Sequence, residues 1–216
     1  MAGKRSYLDG CAVAHALDLV GDRWALLVVR ELLLGPKRFT DLRTGLPGAA
    51  PNVIAQRLRE LESVGVVRRR TLAPPAASKV YELTEWGVEL EPVVVALGAW
   101  AGRSPAMRHD APMSVDSLVL ALRTLFDADA ARGFTAIIGL RIGVDEFAAT
   151  VADGAFAVRR GPATDPDGTI TASADELNAV LWGDADLAES SVVGDPAAAR
   201  RFTGLFPLPR PAEIAG

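Results

Sequence analysis

Cysteine is almost absent from this 216-residue chain, with Cys11 the only one. One thiol closes no intramolecular disulfide, supplies no CxxC pair and assembles no thiolate metal site, and it suits a reducing cytoplasm. Histidine is nearly as scarce: His15 and His109 are the only two, and neither stands near a serine elbow or a carboxylate pair. GxSxG, HExxH, GxxxxGK[ST] and GxGxxG are all missing. The D-x-D pairs at 127/129, 165/167 and 184/186 never continue into a calcium loop and read as helix ends and turns. These absences argue against an enzyme, a metal site and a bound cofactor. Long apolar runs are lacking too. The longest, residues 24–29 and 93–102, fall well short of the ~20 residues that a membrane helix needs. Near the start, Asp9, His15 and Asp18 interrupt any signal-peptide core after Lys4 and Arg5. The chain reads as cytoplasmic.

What is present is ample core material, since half the residues are apolar and 23% are charged in a 22.7 kDa chain. That suits one large domain or two of about 100 residues and excludes a disordered class. The net charge of -4 conceals a split near Asp110. Residues 1–110 hold 15 Lys plus Arg against 12 Asp plus Glu, giving +3, whereas 111–216 hold 8 against 15, giving -7. The first half is therefore the one suited to a polyanion. Residues 103–113 (RSPAMRHDAPM) carry two prolines, mixed charge and no periodicity. They place a linker at 106–112 between a domain over 1–105 and another over 113–216.

Gly and Pro punctuation divides the first domain into short helices followed by a hairpin. Its most informative stretch is residues 51–69, PNVIAQRLRELESVGVVRR. Ile54, Leu58 and Leu61 recur at helical spacing, and Pro51 suits a first helical turn. The opposite side presents Asn52, Ala55, Gln56 and Arg59. Asn and Gln match adenine, Arg matches guanine, and small neighbours let a helix settle into a major groove. Residues 39–46 read as a preceding short helix, joined through Pro47-Gly48, and the pair makes a helix-turn-helix. After Gly65, residues 66–70 and 79–83 flank TLAPPAAS as a basic hairpin, the wing of a winged helix. Asn52, Gln56 and Arg59 are the expected base readers. Arg38, Thr40, Arg57, Arg68, Arg69, Arg70 and Lys79 are the expected phosphate contacts. Double-stranded operator DNA is thus the expected partner. Trp24 and Trp86 read as core aromatics.

Two further stripes suggest self-association, because a domain this small has difficulty burying them alone. Leu90, Val94, Leu97 and Ala101, with Trp100 adjoining, run along a helix over 84–103, and Val13, Leu17 and Val20 along a helix over 8–20. A two-fold dimer would set two recognition helices about one turn of DNA apart.

The second domain reads as α+β. Leu118, Leu122, Leu125 and Phe126 mark a leading helix, residues 134–142, 147–159 and 169–172 read as strands, and 173–181 and 196–206 as helices. Gly143 and Asp153-Gly154 are the expected turns.

Over residues 8–103 the sequence resembles the HxlR-type winged-helix regulators, relatives of the MarR regulators. The matching blocks are Cys11 followed by ALDLVGDRWALLVVREL, then RFTDLRTGLPG, then QRLRELESVGVVRR, then VYELTEWGVELEPVV. The resemblance implies a dimer that binds operator DNA, and it aligns Cys11 with an N-terminal thiol that senses oxidants or electrophiles in several members; the neighbouring Ala12 and Ala14 supply no cation, and on its own surroundings Cys11 reads instead as a buried, inert cysteine. Ala49-Ala50-Pro51 departs from the Ile-Ser pair usual before the recognition helix, removing its capping hydroxyl. Residues 113–209 resemble a sterol-carrier-protein-type domain, on the order of a leading helix, the pair FTAIIGLRIG and EFAATVADGAFAVRRG, then DPDGTITASADELNAVLWG and SSVVGDPAAARRFTGLFP. That resemblance implies a sheet and helices around an apolar cavity. Leu118, Leu122, Phe126, Ile138, Leu140, Leu177, Leu181, Trp182, Phe202 and Phe206 would either line it for an apolar small molecule or fill it. The resulting expectation is a dimeric, sequence-specific regulator, a repressor with a C-terminal effector domain. The alternative is a lipid-binding or small-molecule-binding protein whose winged helix is an interaction scaffold.

Overall fold

Helix α4, Pro51–Ser63, organises the N-terminal part of the chain. Proline at N1 gives up an amide that would have no helical partner and presets φ for the first turn. Ile54, Leu58 and Leu61 are buried along one side, and each apolar side chain contributes about 1.5–3 kcal/mol when removed from water. The helix ends in a Schellman motif: the Val66 N–H donates to Leu61 O at 2.9 Å and the Gly65 N–H to Glu62 O at 3.1 Å. Gly65 has φ +78°, which a residue without a Cβ adopts freely.

Around α4 pack α1 (Ala12–Val20), α2 (Ala25–Leu32) and α3 (Phe39–Gly45). Their shared core holds Val20, Val28, Val29, Leu32, Leu42 and Leu46 beside the buried face of α4. Strands β1 (Val67–Thr71) and β2 (Lys79–Leu83) pair antiparallel, with Val67 opposite Leu83 and Thr71 opposite Lys79. The wing is tied back by Lys37, which exchanges two backbone hydrogen bonds with Tyr81, at 2.9 and 2.8 Å.

Two differences from the sequence expectations have clear causes. Helix α1 starts at Ala12 rather than at residue 8, because Asp9 Oδ1 accepts the Cys11 N–H at 2.9 Å in a local turn. The helix expected over 84–103 is broken into α5 (Glu85–Val88) and α6 (Glu91–Gly102). Pro92 fits only the first turn of the second piece. Gly87 is pressed so closely against the residue that precedes β1 that a Cβ there would meet Val66 O at 2.1 Å. Trp86, expected in the core, is consequently half exposed on that single turn, whereas Trp24 packs against the core.

The second part of the chain is a five-stranded sheet of order β5-β4-β3-β6-β7. The strands are β3 (Ala136–Ile142), β4 (Asp145–Ala152), β5 (Ala155–Arg160), β6 (Gly168–Ala172) and β7 (Val192–Gly194). All pairs are antiparallel except β3 with β6. Helices α7 (Val115–Leu125), α8 (Ala174–Trp182) and α9 (Pro196–Thr203) complete this part, capped by Ser114, Ser173 and Asp195 respectively. The stretch 147–159 splits at Asp153-Gly154, as its turn residues predict. Strand β7 was not foreseen, since three residues give too short a pattern to read.

The computed structural model describes residues 6–74, 77–108 and 111–213. His109 and Asp110 of the expected linker, and Pro75 and Ala76 of the wing turn, lie outside them. The chain divides into two compact units, Met1–Val94 and Val95–Gly216. The division falls within α6, upstream of 106–112. No helix among the described residues is long and apolar enough to cross a membrane.

Candidate nucleic-acid interface

A helix advances about 100° per residue, so Asn52, Gln56 and Arg59 fall within a narrow stripe centred about 160° from Ile54, Leu58 and Leu61. All three polar side chains are exposed and all three apolar ones are buried. The stripe is therefore a direct consequence of which side of α4 the core claims. Its groups are linked to one another. Gln56 Nε2 donates to Glu60 Oε1 at 2.6 Å, and Arg59 donates through an η nitrogen to Gln56 Oε1 at 2.6 Å.

At the start of α4 the N-cap is Ala50, with no side-chain cap. Beside it is a groove of about 630 Å³ lined by Thr40, Arg43 and Thr44 of α3 and by Pro47, Gly48, Ala49, Ala50 and Pro51. Thr40 and Arg38, expected at phosphates, are exposed at the start of α3, where the Arg38 N–H donates to Asp41 Oδ2 at 2.9 Å. Arg43 is exposed in the same groove and was not singled out from the sequence. Its position three residues after Thr40, on the polar side of a short helix, was the available signal.

Arg57, also expected at a phosphate, sits apart from this exposed surface. Its guanidinium, only 16% exposed, pairs with Asp22 and with Glu60 at 2.8 Å. Helical spacing accounts for this, because position 57 lies between the polar stripe and the buried face.

On the wing, Arg68 and Arg70 share a nearly buried carboxylate. The Nε of Arg68 donates to Glu82 Oε1 and that of Arg70 to Glu82 Oε2, both at 2.8 Å. Desolvation pushes the Glu82 carboxyl up, but the hydrogen bonds and charges of the two arginines outweigh it and hold it below the ordinary glutamate range. Only Nε of each arginine is engaged in these bonds, and both side chains stay about half exposed. Arg69 projects from the other face of β1. There it pairs with Glu62 of α4 at 3.2 Å and lies 5.2 Å from the Tyr81 ring centroid. Lys79 is exposed at the far end of β2. Through Arg69 and Glu62 the wing abuts the flank of α4 that carries Arg59, three residues earlier.

Cys11 is exposed rather than buried, at the N-cap of α1. Backbone hydrogen bonding from Ala14 and Val13 holds its thiol below the usual value. Among the described residues no group of three or more His, Cys, Asp or Glu is placed to hold a metal.

In the second unit, Leu118, Leu122, Ile138, Leu140, Leu177, Phe202 and Phe206 are buried, while Phe126, Leu181 and Trp182 are half-buried. Phe206 lies 5.0 Å from Phe202, 5.2 Å from Phe156 and 6.1 Å from Phe126, ring centroid to centroid. The Trp182 indole N–H donates to Phe206 O at 2.8 Å. Phe156 completes this ring cluster and was not singled out from the sequence, where it looked like one more strand residue.

Comparison with known proteins finds relatives over the N-terminal part of the chain. The HxlR-like helix-turn-helix family matches residues 19–108. An uncharacterized HTH-type transcriptional regulator of Synechocystis is 36% identical over 87 residues, 40% of this chain and 64% of that protein's length. The HTH-type transcriptional regulator YodB of Bacillus subtilis is 37% identical over 86 residues, 40% of this chain and 77% of YodB. The solved reduced form of YodB superposes with a TM-score of 0.40 at 33% identity, covering 45% of this chain and 97% of that one. The matched region is the helix-turn-helix and wing described above, and the chain belongs to the HxlR family of HTH-type transcriptional regulators.

Proposed function

We propose that this protein is a cytoplasmic, dimeric, sequence-specific regulator, a repressor, that presents α4 to the major groove and its wing to the flanking phosphates. The observation that carries the reading is the exposed Asn52-Gln56-Arg59 stripe set beside an arginine-bearing wing. Amide and guanidinium groups read base edges, whereas Arg68, Arg69, Arg70 and Lys79, with Arg38, Thr40 and Arg43 near the groove, supply register and charge without reading sequence.

Dimerisation is supported by α6, which has no buried residue although it is strongly apolar. Val93, Leu97 and Trp100 are 52%, 46% and 76% exposed, and their spacing of four and three places them on one stripe. Leu90 and Val94 of the stripe expected from the sequence instead pack on the first unit's core. Helix α1 adds exposed Val13 and Leu17. The second unit is assigned a regulatory role. An apolar small molecule favouring one DNA-binding state would enter at its phenylalanine cluster.

Fluorescence anisotropy on duplex DNA from upstream of the protein's own gene and on a scrambled duplex, at two salt concentrations, tests the reading. Preference for the upstream duplex is expected. Equal, salt-labile binding to both would overturn the assignment of α4 to that operator. Leu97→Asp is expected to convert the dimer to a monomer in sedimentation velocity. An unchanged sedimentation coefficient would remove α6 from the interface.

A further inference from the structure

We infer that Glu60 is a positioning residue that, through Gln56, presets Arg59 as the guanine reader of α4. The inference rests on the reading of α4 as the base-facing helix and divides the labour within its stripe.

The chain of contacts begins at a fixed point. Arg57 is largely buried and bridges Asp22, ahead of α2, to Glu60 Oε2. The other oxygen, Glu60 Oε1, accepts from Gln56 Nε2 at 2.6 Å, and Gln56 Oε1 accepts from Arg59 at 2.6 Å. The three links within α4, Arg57 to Glu60, Gln56 to Glu60 and Arg59 to Gln56, join residues three or four apart, which is where side chains on one helix meet. Each has at least one ionised partner, which makes it stronger than a bond between neutral groups.

The order of the amide is fixed by its neighbours. Turned over, it would set its carbonyl against a carboxylate and its NH₂ against a guanidinium, with no acceptor between two donors. Gln56 therefore points its nitrogen inward to the acid and its oxygen outward to Arg59. With one end of its amide turned to Glu60 and the other to Arg59, Gln56 is oriented by its helix neighbours rather than toward the two edge atoms of a single adenine, and its main part at the base is to hold Arg59. Arg59 has five N–H donors, and one bond to Gln56 leaves enough for the two-bond contact to guanine O6 and N7. Holding its guanidinium before encounter removes part of the ordering cost of binding.

The test is selection by the full-length protein from a library of duplexes with a random core, read by sequencing. Wild type is expected to enrich a site with a guanine whose preference falls roughly 10- to 100-fold in Arg59→Ala. Gln56→Ala and Glu60→Ala are expected to weaken that same base, and only that base, roughly 2- to 10-fold. Arg59→Ala combined with Glu60→Ala should be no worse at that base than Arg59→Ala alone. Glu60→Gln keeps an acceptor for the Gln56 amide and is expected to restore the preference, which a general loss of folding would not allow. The inference is overturned if Glu60→Ala leaves the guanine untouched or weakens every position alike with no rescue by Glu60→Gln. It is also overturned if Gln56→Ala flattens an adenine elsewhere. If wild type enriches no sequence at all, the base-reading role of α4 itself falls, an outcome distinct from these.

Discussion

Glu31 is fully buried in α2, yet it carries a charge that the fold must accommodate. The Lys37 ammonium donates to its Oε2 at 2.7 Å and the Arg30 guanidinium to its Oε1 at 2.9 Å. The cations are 11% and 22% exposed, while the carboxylate has no access to water. Removal of Lys37 therefore costs more than its own bond, because the carboxylate stays behind undersolvated. Breaking a buried pair from one side costs about 3–5 kcal/mol, and Arg30, still in place, puts Lys37→Met near the lower end, about 3 kcal/mol. If the first unit melts by itself, that is about 12–24 °C in Tm, and about half as much if the whole chain melts together. Scanning calorimetry of the full chain measures it. Glu31→Gln, which removes the charge and keeps an acceptor, is expected to cost less, about 1–2 kcal/mol. The double variant should cost less than the sum of the two by about 1–2 kcal/mol. A Lys37→Met shift under about 4 °C if the first unit melts by itself, or under about 2 °C if the whole chain melts together, either one equivalent to about 1 kcal/mol or less, would refute the argument that Lys37 compensates a buried charge. Strict additivity in the cycle would refute it as well.

Three other expectations follow from single contacts. Gly87→Ala would drive a Cβ into Val66 O, so a loss of about 1–3 kcal/mol or more is expected in urea unfolding, and an unchanged midpoint would contradict that close approach. Arg69→Ala and Lys79→Ala should each weaken all duplexes alike and reduce the log-log salt slope by about 0.9. A change confined to one sequence would instead make either residue a base reader. The Cys11 thiol, held low by the amides of Ala14 and Val13, should be alkylated by iodoacetamide with a midpoint below that of an unstructured cysteine peptide, near pH 8.5. A lowered pKa enlarges the thiolate fraction on the acid side of that reference, so a midpoint at or above it would contradict the helix-end placement.

Much of the first unit was legible because its signals are local. Apolar periodicity in residues 51–63, a proline at the first turn and Gly65 just past the end specify α4 within the chain's own neighbourhood, and the polar stripe is what remains once Ile54, Leu58 and Leu61 face inward. The basic hairpin was equally readable, since alternation and turn residues act over a few positions. Tertiary structure decided what depends on partners distant in sequence. It turned Arg57 away from the Asn52-Gln56-Arg59 stripe toward Asp22, gave Arg68 and Arg70 a common acid in Glu82, and left Trp86 outside because Gly87 had to pass under Val66. It also broke one apolar helix into α5 and α6, drawing Leu90 and Val94 onto the first core while Val93, Leu97 and Trp100 stayed exposed. In the second unit the order of strands and helices was visible in the sequence. The pairing of β3 with β6, the short β7 and the place of Phe156 among the rings were not. Periodicity tells which side of an element seeks apolar company, but only the packed chain settles which charges meet and which rings share a core, because those energies arise between residues that the sequence sets far apart.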